Sequence, residues 1–225
     1  MGTKVNPRAH RLATIQPPDA KWFSRGERFR QFLKDDVLVR AYLLKKLREA
    51  SVDRIEIERT NQNLNIIIHT AKPGIVIGRA GSGAEDLKKQ MKKMFFRGRR
   101  VNITLNVQEV IKPTSSSAIV AEQVAMEIEK RMPFRRSMKQ AIERVMKGGA
   151  LGVKVKLGGR LNGAEIARTE ALSAGTIPLQ TLRADIDFAR STARTMYGAI
   201  GIKVWVYRGD IFEEKQKKSE DQNNV

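Results

Sequence analysis

Gly78-Arg79-Ala80-Gly81 constrains this chain more than any other stretch. It stands between a short apolar step, Ile75-Val76-Ile77, and the start of a polar, basic helix. Two glycines three residues apart let the backbone take left-handed angles and lie close against a bulky neighbour. Amides at a helix start point outward toward phosphate oxygens, and Arg79 adds a positive charge to the same turn. Other glycine motifs fail on spacing. A dinucleotide fingerprint reads G-x-G-x-x-G, whereas Gly78, Gly81 and Gly83 run in the reverse order. A P-loop needs Lys-Ser/Thr after its last glycine, and here Ala84 follows Gly83. A bare GxxG is explained equally well by a plain helix-opening turn, so its meaning depends on its surroundings.

Those surroundings have a definite order. Asp35 or Asp36 is expected to cap a helix carrying Val37, Tyr42, Leu43, Leu44 and Leu47 and ending near Ala50. Val52 to Glu58 alternates apolar with charged residues, which predicts a half-buried strand. Asn61-Gln62-Asn63 supplies a turn, and Leu64 to Ile68 returns as a second strand. After the loop, a helix is expected from near Gly83 through Leu87, Met91 and Met94, then a strand over Val101 to Val110. This α-β-β-α-α-β order around GxxG, within residues 36–110, is that of a KH module, whose loop clamps about four nucleotides of backbone. Lys112 to Ser117 marks the boundary.

The second half predicts two helices, near 116–131 with serine caps and near 134–147 ending at Gly148-Gly149. Strands are expected at Leu151–Leu157, Glu165–Leu172, Ala184–Phe188 and Ile200–Tyr207. In the last, Ile202, Val204 and Val206 alternate with Lys203, Trp205 and Tyr207. The first 21 residues hold Pro7, Pro17 and Pro18 with Lys4, Arg8 and Arg11, and read as an irregular basic arm. Residues 213–225 are polar and mixed in charge, a flexible tail.

Charge decides the class of partner. The chain has 43 Lys+Arg against 24 Asp+Glu, a net +19. That is far beyond the roughly 2–8 charges that solubility asks of a small domain. Residues 1–110 carry 23 basic and 11 acidic residues and residues 111–225 carry 20 and 13, so both halves are basic. Closely spaced phosphates, which release counterions when lysine and arginine replace them, are the natural complement. No apolar run approaches the ~20 residues of a membrane span, and Met1 to Arg11 lacks the apolar core of a secretory leader. The absence of cysteine fits a reducing compartment and excludes a thiolate metal site.

At this point the chain resembles a family more closely than a module. The segment His69-Thr70-Ala71-Lys72-Pro73-Gly74-Ile75-Val76-Ile77-Gly78 is similar to the KH segment of the bacterial ribosomal protein S3 family. Met1-Gly2-x-Lys4-Val5-x-Pro7 and Phe134-Arg135-Arg136-x-Met138-Lys139 resemble it too. So do Gly159-Arg160-Leu161-x-Gly163-Ala164-Glu165-Ile166-Ala167-Arg168-Thr169-Glu170, Leu182 to Asp187, and Tyr197-Gly198-x-Ile200-Gly201-x-Lys203-Val204-Trp205. The likeness runs from residue 1 to about 212.

The resemblance implies an α+β chain: a type II KH domain at residues 22–111 behind the arm, then a two-layer α/β domain at 112–212 with a mostly antiparallel sheet. It implies a cytoplasmic protein of the small-subunit head that contacts small-subunit rRNA and mRNA beside ribosomal proteins S10, S14 and S2. No enzyme activity, cofactor, metal or small-molecule substrate is expected. The residues matching Arg135, Arg136 and Lys139 line the family's mRNA entrance channel, near ribosomal proteins S4 and S5, and help unwind structured messages. On their helix these three cations fall within an arc of roughly 100°, on another face from apolar Met138, Ala141, Ile142 and Val145.

Gly78, Arg79, Ala80 and Gly81 form the expected RNA-binding loop, and Lys4, Arg8, Arg11, Arg160 and Arg168 are candidate rRNA contacts. For Arg160 and Arg168, pairing with Glu165 or Glu170 inside the domain is the competing reading. The chain departs from the family in three places. Its loop carries Arg-Ala where two lysines are usual, Gly83 to Arg100 is longer, and the tail lacks a strongly basic extension. The alternatives are a free-standing KH regulator and a nuclease built on Asp185 and Asp187. No histidine stands near those aspartates, and Arg183 and Arg190 do, which favours ion pairs.

Overall fold

A computed structural model describes residues 4–60, 63–97, 99 and 101–212. The chain divides into two compact units, Pro18–Pro113 and the described residues of Met1–Pro17 with Thr114–Val225. The first has a four-stranded sheet in the order β1 (Ala20–Lys21), β2 (Val52–Arg59), β3 (Asn63–Thr70), β4 (Asn102–Glu109). The β2/β3 pair is antiparallel, while β1/β2 and β3/β4 are parallel. Helices α2 (Gly26–Lys46), α3 (Pro73–Ile77) and α4 (Ser82–Phe95) complete the order α-β-β-α-α-β. Alternation put the right residues inside. Ile55 and Ile57 of β2 and Leu64, Ile66 and Ile68 of β3 are buried against Val39 and Leu43 of α2 and Leu87 and Met91 of α4.

Asp35 and Asp36 correct the expected helix cap. They lie in the middle of α2, both buried. Arg59 reaches them from the end of β2, with Nη2 2.6 Å from Asp36 Oδ1 and Nη1 3.6 Å from Asp35 Oδ2. Arg99 donates to Asp35 at 2.8 and 3.1 Å, and the Trp22 indole donates to Asp36 at 2.6 Å. Carboxylates at this depth are tolerable only because each one is paired and hydrogen-bonded. The buried stripe of α2 therefore runs through Asp35, Asp36, Val39 and Leu43, leaving Val37 and Leu44 exposed. The expected turn at Asn61-Gln62-Asn63 falls partly outside the described residues, as does the tail after Phe212.

The second unit has two layers. Helices α5 (Ser117–Glu129) and α6 (Phe134–Lys147) cover one face of an antiparallel sheet ordered β6 (Arg168–Gly175), β5 (Gly152–Gly159), β8 (Gly198–Asp210), β7 (Ala184–Thr195). Val153, Val155 and Leu157 with Ile202, Val204 and Val206 meet Val124, Ala125, Met138 and Val145 in a continuous core. Ser116 accepts from the Ile119 amide as the α5 cap, and the Asp187 carboxylate accepts from the Ser117 amide at 2.8 Å. Anionic oxygen at a helix N-terminus complements the unpaired amides and the dipole. Strand β7 is seven residues longer than expected, because Ala189 to Thr195 pairs fully with Gly198 to Val204.

Residues 4–17 are not a separate arm. A short helix α1 (Pro7–His10) packs on β7, and Arg11 is wholly buried. Its guanidinium donates to the carbonyls of Ala184 (2.7 Å), Pro7 (3.0 Å), Leu179 (3.0 Å) and Thr181 (2.8 Å). This removes Arg11 from the solvent-facing cations, since an internal arginine that satisfies carbonyls cannot also meet a phosphate.

Candidate nucleic-acid interface

The glycine loop opens α4 through a single tight turn at Arg79–Gly81. Its glycines do different jobs. Gly78 has φ +72, and a Cβ there would come within 2.8 Å of the Gly83 nitrogen. A Cβ on Gly83 would in turn meet the Ile77 carbonyl at 3.0 Å, so these two backbones pack directly together. Gly81 has φ +83 but faces open space. It serves as the N-cap of α4 without a side-chain cap bond, and the Ser82 amide turns back onto the Arg79 carbonyl. Arg79 is exposed and makes no hydrogen bond or ion pair among the described residues. Lys89, Lys92 and Lys93, which no local motif singles out, are exposed on the side of α4 opposite buried Leu87 and Met91.

This division of labour gives an unequal cost of substitution. Gly78→Ala adds a backbone clash to left-handed strain and should cost about 2–3 kcal/mol. Gly81→Ala should cost about 1 kcal/mol, the strain alone. Urea denaturation of the two variants decides it, and equal losses would contradict the packing role given to Gly78.

Helix α6 is sharply two-sided. Phe134, Ser137, Met138, Ala141 and Val145 are buried, while Arg135, Arg136 and Lys139 are exposed on the other side. Arg135 is 70% exposed at its side chain and donates to both Glu170 oxygens at 3.3 Å. Arg168 shares that carboxylate at 3.2 Å. The Arg135 hydrogen bond, helped by the charge of Arg168, holds the Glu170 carboxyl below the usual glutamate range. One acid between two arginines leaves a local excess of positive charge beside Arg136 and Lys139. Both Arg135 and Arg168 also lie over the Phe134 ring, at 5.7 and 5.8 Å.

The remaining candidates separate by exposure and partners. Lys4 is exposed and Arg8 is partly buried. Arg160 donates to the Ala164 and Tyr197 carbonyls at 2.9 and 3.3 Å and bridges the turn rather than pairing with an acid. Asp185 and Asp187 are ion-paired as the sequence suggested, but to Arg208, at 3.7 and 3.0 Å, not to Arg183 or Arg190. Arg183 pairs instead with Asp210 at 2.9 Å. Among the described residues no three acids or histidines come together as a metal site, and no helix is long and apolar enough to cross a membrane.

Comparison with known proteins agrees with this division of the chain. Residues 38–115 match the family described as KH domain, and residues 124–206 match "Ribosomal protein S3, C-terminal domain". The small ribosomal subunit protein uS3 of Caldicellulosiruptor bescii is 47% identical over 220 residues, covering 98% of each chain. Proteins of the same name from Enterococcus faecalis and Desulforudis audaxviator are each 49% identical, over 216 and 215 residues, covering 96% of this chain and 97% of theirs. These relatives are ribosomal proteins rather than enzymes. A KH unit and an S3 C-terminal unit in that order, with nearly half the residues shared along almost the whole length, make this chain a member of the ribosomal protein uS3 family.

Proposed function

We propose that the chain is a structural constituent of the small-subunit head. There it binds rRNA and uses Arg135, Arg136 and Lys139 to line the mRNA entrance channel and hold separated strands of structured messages. The observation that carries this reading is the two-sided α6. Its cationic face is exposed, and its opposite face is fixed in the core by Phe134, Met138, Ala141 and Val145. Cations held on a rigid helix can follow a phosphate backbone without first paying to be ordered. They catalyse nothing. They favour the opened state of a hairpin that frays thermally, while translocation supplies direction.

In this reading the Gly78-Arg79-Ala80-Gly81 loop and the exposed lysines of α4 approach rRNA backbone, with Lys4, Arg8, Arg160 and Arg168 as further rRNA contacts. Ribosomal proteins S10, S14 and S2 are neighbours, S4 and S5 flank the mRNA entrance, and the setting is the cytoplasm. Co-sedimentation with small subunits in salt that strips loosely bound RNA-binding proteins tests the assembly. A chain found only in free fractions would be a KH regulator instead.

Replacing Arg135, Arg136 and Lys139 together by alanine tests the channel role in reconstituted translation. Loss of about 1 kcal/mol of bias toward open strands should slow hairpin-containing messages about fivefold. Unstructured messages should be nearly unaffected. Equal slowing of both would count against unwinding.

A further inference from the structure

Helices α5 and α6 cover one face of the sheet of the second unit, and the other face is covered only in part, by the short α1 against β7. On the other face the strand register lines up Lys154, Trp205 and Phe188 in one row and Lys156, Lys203 and Arg190 in the next. The Phe188 and Trp205 rings stack at 5.1 Å with a 37° tilt. Arg190 lies 5.4 Å over Phe188, which is buried, whereas Lys154 lies 5.9 Å over Trp205, which remains partly open. The backbone around Lys4 to Pro7 and the turn at 179–180 wall this face into a cavity of about 530 Å³.

Five cations line that cavity (Lys4, Lys154, Lys156, Arg190 and Lys203), and among the described residues no carboxylate lines it. Two acids of the same sheet point the other way, Glu170 to Arg135 and Asp187 to the start of α5, and Asp210 at the end of β8 is taken up by Arg183 and Tyr207. Like charges gathered without a counter-charge repel one another, and an anionic partner relieves this. The volume falls within the range of about 300–1,000 Å³ usual for ligand sites. Asn6 and Gln180 add polar edges. An acidic peptide would answer the charge but offer nothing to the indole. A nucleotide answers both, with a flat ring to stack and phosphates on either side.

We propose that this cavity receives an unpaired nucleotide of an RNA strand, its base against Trp205 and its phosphates on Lys154, Lys156, Lys203 and Arg190. The site is separate from the glycine loop and from α6, and it rests on the RNA-binding reading only for the class of ligand. Recognition through an aromatic platform with a cationic rim tolerates different sequences, because every base has a face to stack.

The test uses the full chain carrying Arg79→Asp and Ala80→Asp, which suppress the loop. Loss of binding from those changes therefore bears on the proposed function and not on this site. A bromouridine-containing decamer should crosslink to the peptide bearing Trp205. Trp205→Leu should weaken decamer binding about tenfold, while Trp205→Phe keeps most of it. Lys203→Ala with Arg190→Ala, both exposed and safe for folding, should also weaken binding severalfold and reduce its salt dependence. Free UMP should not displace the decamer at comparable concentration, and neither should polyglutamate. Unchanged affinity in the Trp205→Leu and the Lys203/Arg190 variants would overturn the proposal, as would crosslinks confined to residues 73–95. Displacement by UMP would make the cavity a free-nucleotide site, and displacement by polyglutamate an acidic-peptide site; either result overturns an RNA strand as its occupant.

Discussion

Replacing Arg11 by alanine is expected to destabilise the second unit by about 3–5 kcal/mol, the range for removing one member of a buried charged network. The side chain is completely buried, and burial pushes its guanidinium below the ordinary arginine range, an effect the charge of Asp185 partly offsets. It persists there because its donors fan out to carbonyls of Pro7, Leu179, Thr181 and Ala184, which tie the N-terminal segment to residues 179–184. Without it those carbonyls lose their partner in a space that water does not easily fill, and each costs about 1–3 kcal/mol if left bare. Arg11→Lys should rescue little, since a single ammonium cannot reach acceptors that a planar fork spans. Urea denaturation gives the size of the loss, and limited proteolysis should show residues 4–17 newly cleavable. A loss below about 1 kcal/mol would mean that solvent replaces the guanidinium without penalty.

Arg59→Met should cost the first unit a similar amount, about 3–5 kcal/mol, because it strands buried carboxylates. Asp36 would keep only the Trp22 indole as a close donor, and Asp35 would keep Arg99. Burial already pushes the Asp36 carboxyl above its ordinary range, and Arg59, Trp22 and Arg40 offset this only in part. Removing Arg59 raises it further, so the folded state favours the protonated acid. The deficit of the variant should then be full at neutral pH and shrink as the pH falls through the raised value. Adding Asp36→Asn should recover part of the loss at neutral pH, since the amide oxygen still accepts from Trp22 without carrying charge. A deficit independent of pH would show that lost stacking on Phe32, 4.4 Å from the guanidinium, matters more than the stranded charge.

Much of this architecture is legible in the sequence, for a physical reason. Strands such as Val153-Lys154-Val155-Lys156-Leu157 and Ile202-Lys203-Val204-Trp205-Val206 alternate strictly, and a two-faced sheet with one dry side admits a single register. Helices α5 and α6 fell within about two residues of expectation because Ser116, Pro133 and Gly148 punctuate them. Where the pattern misled, a long-range partner was the cause. Asp35 and Asp36 look like caps until Arg59 and Arg99 arrive from distant sequence to neutralise them inside the helix. Arg11 looks like part of an RNA-binding arm until the carbonyls near 178–184 close around it.

Local spacing therefore determined by itself the element order, the glycine loop, the cationic arc of α6 and the demand of a net +19 for a polyanion. These depend on backbone sterics, helical periodicity and charge, all of which act over a few residues or need only be summed. The tertiary structure alone decided which cations remain exposed. It consumed Arg11 and Arg59 as internal partners, shared Glu170 between Arg135 and Arg168, and gathered Lys4, Lys154, Lys156, Arg190 and Lys203 around Trp205. Pairing energies fall off over a few ångströms, and only the folded chain brings residues more than a hundred positions apart within that reach.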